Sequence, residues 1–141
     1  MSKLIETKAE FQVLAEQRLL EAKALLDLEK WDGAYYLAGY AVELALKACI
    51  IKMLMATDAF PKKKFDCYIH DISKLVELAK LDDALKKETA ADSDFQSNWA
   101  IAKDWSEESR YHRFNKAEAE SLYKAIADGE HGVLSWIKTQ W

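Results

Sequence analysis

Glu43 and Lys47 stand one helical turn apart inside the most apolar stretch of the chain, Gly33 to Ile51. A glutamate followed four residues later by a lysine stabilises a helix by about 0.2–0.5 kcal/mol. Two charges on so apolar a surface are expensive to bury unless they meet partners or line a cleft. They read either as a paired charge on the rim of the core or as part of a binding site. His70 sits immediately before the next apolar run. A lone histidine at a helix entry is more often a hydrogen-bonded structural residue than a ligand. Cys67 and His70 have the spacing of half a zinc site, but no second pair completes it. None of the three histidines, His70, His112 and His131, has a glutamate three residues before it, so the Glu-x-x-His pattern of di-iron bundles is missing. Glycine-rich phosphate loops and the Gly-x-Ser-x-Gly elbow are also absent from the sequence. Neither a metal nor a cofactor is expected.

The densest set of anion-binding side chains is Ser109-Arg110-Tyr111-His112-Arg113-Phe114-Asn115-Lys116. Arginine offers a planar fork matched to phosphate, aromatic rings stack on bases, and a following helix N-terminus supplies free N–H groups. The competing reading is a solvated loop whose arginines pair with Glu107 or Glu108.

The elements that position these residues are helices. A chain of 141 residues fits one domain spanning 1–141, and its one proline and four glycines leave long uninterrupted periodic segments. A formal charge of −4 argues against indiscriminate coating of nucleic acid, so any polyanion site must be local. Two cysteines, Cys49 and Cys67, cannot frame a disulfide scaffold, and no basic-apolar-cleavage pattern opens the sequence. A cytoplasmic address is the expectation. Glu43 and Lys47 each cost roughly 2.5–3.5 kcal/mol at a bilayer centre, so 33–51 reads as a buried central helix, not a membrane span.

The periodicity predicts a first helix over about Lys8 to Lys30 and a second reaching Met55, with Asp32 as its N-cap and Trp31 and Tyr36 as a hydrophobic staple. Residues 57–69, with Pro61 and Lys62 to Lys64, connect to a third helix over Asp71 to Lys80. A short helix from Asp82 to Glu88 follows, then one from Asp94 to Trp105 behind a Ser93–Gln96 capping box. Asn115 and Glu118 cap the last helix, whose apolar face persists across Gly129 and Gly132. Each glycine costs about 1 kcal/mol inside a helix, so a close contact compensates there or the helix breaks. The stretch from Ser106 to Phe114 is the least bundle-like. Five tryptophans, six tyrosines and five phenylalanines are more aromatic surface than a thin bundle covers, which points to a homodimer contact on the last helix through Trp136 and Trp141.

The run Ala34 to Ala48, then His70-Asp71-Ile72 leading into Leu75, then Arg110-Tyr111, resembles the HEPN family, the helical domains of higher eukaryote and prokaryote nucleotide-binding proteins. The resemblance covers nearly the whole chain. It implies an all-α, up-and-down bundle of four to five helices, usually dimeric, related to the helical domain of kanamycin nucleotidyltransferase. It also implies nucleotide or RNA binding and, for standalone members, a toxin-antitoxin setting with a minimal nucleotidyltransferase as partner. On this reading Arg110 and Arg113 hold phosphate, Tyr111 stacks, and Glu43, Lys47 and His70 line the cleft. Active relatives are metal-independent ribonucleases with a histidine four to six residues after the arginine. The corresponding positions here hold Asn115, Lys116 and Ala117. Cleavage would need His112 or His70 to substitute in space, and a binding module without cleavage is the preferred expectation.

Overall fold

The computed structural model describes residues 5–56 and 69–141, and all regular structure among them is helical. The elements are α1 (Lys8–Asp27), α2 (Trp31–Ala56), α3 (Ile72–Leu78), α4 (Asp82–Ala91), α5 (Ser93–Ala102), a 3-10 turn (Glu107–Tyr111), α6 (Lys116–Ala127) and α7 (Val133–Lys138). The proline, the Lys62 to Lys64 run and Cys67 lie outside the described residues.

Helix α2 forms the axis. Ala34, Ala38, Ala41, Val42, Leu44, Ala45, Leu46, Ala48, Cys49 and Ile50 are all buried. Its alanines let neighbouring helices approach from several sides: α1, α3, α6, α7 and the 3-10 turn all pack on it. Burial also pushes the Cys49 thiol up to about 11, which leaves it an inert core residue. Helix α3 contributes Ile72, Leu75 and Val76. Helix α5 contributes Phe95, Trp99 and Ala102, and α6 adds Ala119, Leu122, Ala125 and Ile126. A large apolar side chain buried in this way contributes about 1.5–3 kcal/mol.

Helix ends differ from the sequence expectation wherever an alternative partner competes. Helix α1 stops at Asp27, short of Lys30, because Glu29 turns left-handed (φ 60) and the Lys30 N–H reaches back to the Leu25 carbonyl at 2.8 Å. This is a Schellman ending with a glutamate where glycine is favoured. Helix α3 ends alike, at Leu78, with Lys80 left-handed (φ 57). Helix α2 already includes Trp31 and Asp32, so neither the Asp32 cap nor the Trp31–Tyr36 staple forms. Ser93 does not cap α5; Asp92 does, its carboxylate accepting the Asp94 and Phe95 N–H groups at 3.0 Å each. The helix then ends at Ala102.

Asn115 and Glu118 form the expected capping box of α6. The last expected helix breaks into α6 and α7 at the glycines. A Cβ on Gly132 would lie 2.2 Å from the Asp128 carbonyl oxygen, so the turn that reorients the chain closes only around a glycine. Asn98 ties this turn to α5 by donating to the His131 carbonyl at 2.9 Å.

Trp136 packs in the core against Phe95 and Trp99, with ring centroids 5.4 and 6.4 Å away. The expected dimer contact through Trp136 is therefore corrected: its ring is already spent inside the bundle. Among the described residues, the exposed large apolar side chains include Val13 and Leu20 on α1, besides Leu28, Met55, Leu78, Ile101 and Tyr111.

Candidate anion-binding site

Tyr36, Gly39, Tyr40, Glu43 and Lys47 recur at three- and four-residue intervals, which puts them on one face of α2. Glu43 is fully buried, and Lys47 is only 3% exposed. The Lys47 ammonium donates to Glu43 Oε2 at 3.1 Å, and His70 Nδ1 lies 3.1 Å from both Glu43 oxygens. The carboxylate is therefore shared between an ammonium and an imidazole, which offsets its desolvation. His70 is held in place because Asp71 caps α3, accepting the Lys74 N–H at 2.9 Å.

The other ring nitrogen, His70 Nε2, meets Glu107 Oε2 at 3.2 Å. A neutral imidazole can donate to one of these carboxylates and an imidazolium to both. Glu107 opens the 3-10 turn, and Arg110 follows on the same side, since residues three apart eclipse in this geometry. Arg110 interacts electrostatically with Tyr111, Tyr36 and Glu107; the hydrogen bond with Tyr111 is the main reason its guanidinium is held above its ordinary value. A line of charges thus runs outward from Lys47 through Glu43, His70 and Glu107 to Arg110.

The segment carrying Arg110 is fastened to α2 at both ends. At one end the Trp105 indole sits directly on Gly39: a Cβ there would be 2.1 Å from the ring. At the other, Asp32 accepts the Phe114 N–H at 2.6 Å, and the Tyr35 and Phe114 rings stack at 3.6 Å and 11°. The absent helix cap has become a cross-link. Behind the turn, the Trp105 indole N–H and the Ser109 hydroxyl are buried without a hydrogen-bond partner among the described residues.

Between these fastenings the side chains point outward. Tyr111 is 76% exposed, and the Arg110 guanidinium carbon lies 4.9 Å from its ring centroid. His112 and Arg113 are exposed. Arg113 lies apart from Arg110: it lines an open groove of about 390 Å³ with Glu29, Lys30, Trp31, Asp32, Gly33 and Phe114.

The structure therefore joins the buried Glu43 and Lys47 with the partly buried His70 in one cluster, and Arg110 with Tyr111 at the surface. Glu107 links the two. Sequence reading gave Glu107 only as a partner for the arginines; nothing local announced that it would take His70, 37 positions earlier in the chain. Asp32, Tyr35, Gly39 and Trp105 were likewise not recognised as fastenings, since each pairs with a residue far away in sequence. Asn115, where a histidine would complete the ribonuclease spacing, is spent as the α6 cap.

The fold is that of a helical module whose buried charges tie an exposed arginine-tyrosine turn to a central helix. Comparison with known families agrees: the HEPN domain model matches residues 13–139, nearly the whole chain, and the protein belongs to the HEPN domain family. No curated protein and no solved structure matches. Among the described residues no helix is long and apolar enough to cross a membrane.

Proposed function

We propose that this HEPN domain binds RNA or a nucleotide through the exposed turn at Arg110 and Tyr111, without cleaving it. The observation that carries the reading is the pair itself: a guanidinium poised over a tyrosine ring that is largely exposed, on a turn fastened at both ends. Such a pair offers a fork for phosphate and a face for a base, already ordered before the ligand arrives. Absence of cleavage is supported by His70, both of whose ring nitrogens face carboxylates. His112, two residues beyond Arg110, has its ring near that of Phe114 and stands exposed.

Titration of a labelled single-stranded RNA should show affinity that falls as salt rises, because phosphate contacts release counterions. Intact RNA should be recovered after incubation in EDTA. No binding at about 100 µM protein, a non-specific affinity range, would sink the proposal; new RNA ends in EDTA would replace it with the ribonuclease reading.

A cytoplasmic location, a toxin-antitoxin setting and a minimal nucleotidyltransferase partner remain proposals that rest on family membership. We place self-association into a homodimer on the outer face of α1, where Val13 and Leu20 are 55% and 72% exposed. Sedimentation of Leu20→Glu beside the wild type tests it, since a dimer built there becomes monomeric in the variant.

A further inference from the structure

We infer that Glu107 reads the ribose hydroxyls of the ligand, so that the site prefers ribonucleotides to deoxyribonucleotides; this rests on the proposed binding at Arg110 and Tyr111. Three features of Glu107 support it. Its carboxylate is about one third exposed, so it can be reached by a ligand. One oxygen, Oε2, is held by His70 Nε2 at 3.2 Å, while Oε1 carries no hydrogen bond among the described residues. The side chain is thus fixed with one acceptor left over. Behind His70 stands the fully buried Glu43, so the imidazole that fixes Glu107 is itself fixed.

The third feature is position. Glu107 and Arg110 occupy eclipsed places on one 3-10 turn, separated by about 6 Å along its axis. That is the scale on which a ribose carries its phosphates and its hydroxyls. With phosphate on Arg110, a neighbouring carboxylate repels a second phosphate and accepts a hydroxyl donor, and the ribose 2′-hydroxyl is what a ribonucleotide presents there. A carboxylate bonded to a ribose hydroxyl is an established way of recognising a nucleotide, and the 2′-hydroxyl is what separates RNA from DNA.

The test compares a single-stranded oligouridylate of about a dozen residues with its deoxyuridine counterpart, by anisotropy, on four proteins: wild type, Glu107→Ala, Glu107→Gln and Glu108→Ala. Wild type should favour the ribo-oligomer about tenfold, the scale of one charge-assisted hydrogen bond. Glu107→Ala should bring the ratio close to one while leaving deoxy binding as strong as before or stronger, since a negative charge is gone. Glu107→Gln keeps a carbonyl acceptor and should retain part of the preference. Glu108, exposed and one residue along, controls for charge alone, and its alanine variant should keep the full ratio. Unchanged thermal unfolding of each variant establishes that the fold is retained. Equal wild-type affinity for both oligomers overturns the inference and leaves the proposed function standing. So does a preference that survives in Glu107→Ala or is lost equally in Glu108→Ala. If neither oligomer binds the wild type, the proposed function itself fails and this inference with it.

Discussion

Two charged regions lie side by side on α2 and are built on opposite terms. In the inner one, Glu43 and Lys47 are almost completely buried and each carries ionic partners. In the outer one, Arg110, Tyr111, His112 and Arg113 are exposed on a turn whose backbone is held by residues other than themselves. The inner charges are committed to the fold and the outer ones stay exposed to solvent, which on the proposed function leaves them within reach of a ligand. Residue type alone does not make that distinction; what separates them is whether the desolvation of the charge has already been compensated inside the molecule.

The largest effect should come from breaking the inner region. Glu43→Ala removes the carboxylate that the buried Lys47 ammonium and His70 share, at a cost of about 3–5 kcal/mol, or a fall in melting temperature of roughly 10 °C. Adding Lys47→Met should recover much of it, because removing both members of a buried ion pair costs less than removing one. Thermal unfolding of the single and double variants decides this. A loss below about 1 kcal/mol for Glu43→Ala would mean that the cluster behaves as a solvated surface pair.

The next effect should come from the seam between the regions. Gly39→Ala forces a methyl group into the Trp105 ring, at a cost of about 1–3 kcal/mol, and it should shift the outer turn as well. Unfolding would report the first consequence, and the near-ultraviolet circular dichroism of the tryptophans the second. A variant with wild-type stability and an unchanged spectrum would contradict the close packing.

A smaller effect, remote from both regions, provides a comparison. The hydrogen bond between Asp92 and His131, 2.6 Å long, lowers the aspartate below its ordinary 3.8 and raises the histidine above its ordinary 6.5. A lowered aspartate contributes stability above 3.8 that fades as pH falls through its folded value. A raised histidine contributes below 6.5 and fades as pH rises through its folded value. The stability difference between wild type and His131→Gln should therefore be greatest between pH 3.8 and 6.5 and shrink on either side. A difference that grows above neutrality would contradict this sign.

The smallest effect belongs to Ser109→Ala. Its hydroxyl is buried and unpartnered among the described residues, so removing it should change stability by no more than about 0.5 kcal/mol, in the stabilising direction if at all. A loss of 2 kcal/mol or so would reveal a bonded hydroxyl.

The sequence carried the helices and the committed charges better than it carried the joints. The apolar run around Glu43 and Lys47 had to be a central helix, and two charges inside it had to meet partners or line a cleft; that choice followed from local pattern, and the ion pair with its imidazole neighbour is what the fold shows. His70 could be named as a third member only by resemblance, because its 27-residue separation from Glu43 has no periodic signature. Asp32 shows the opposite failure. Its type and place suited a helix cap, but a backbone N–H 82 residues away competes for the same carboxylate and takes it. Asp92 and Ser93 are both good caps, and a one-residue offset between them leaves no trace in composition. The break between α6 and α7 was visible as a choice, through Gly129 and Gly132, and only the approach of the Asp128 carbonyl settled it.

The separation of committed from free charge is tested most directly on Arg110→Ala, by measuring thermal unfolding and RNA affinity on the same preparation. The account predicts a melting temperature within about 1–2 °C of wild type and an affinity lower by roughly ten- to a hundredfold, with Arg110→Lys recovering only part because it keeps the charge but loses the fork. A destabilised variant whose RNA affinity is unchanged would place Arg110 with Glu43 and Lys47 among the charges that hold the fold, and would contradict the account.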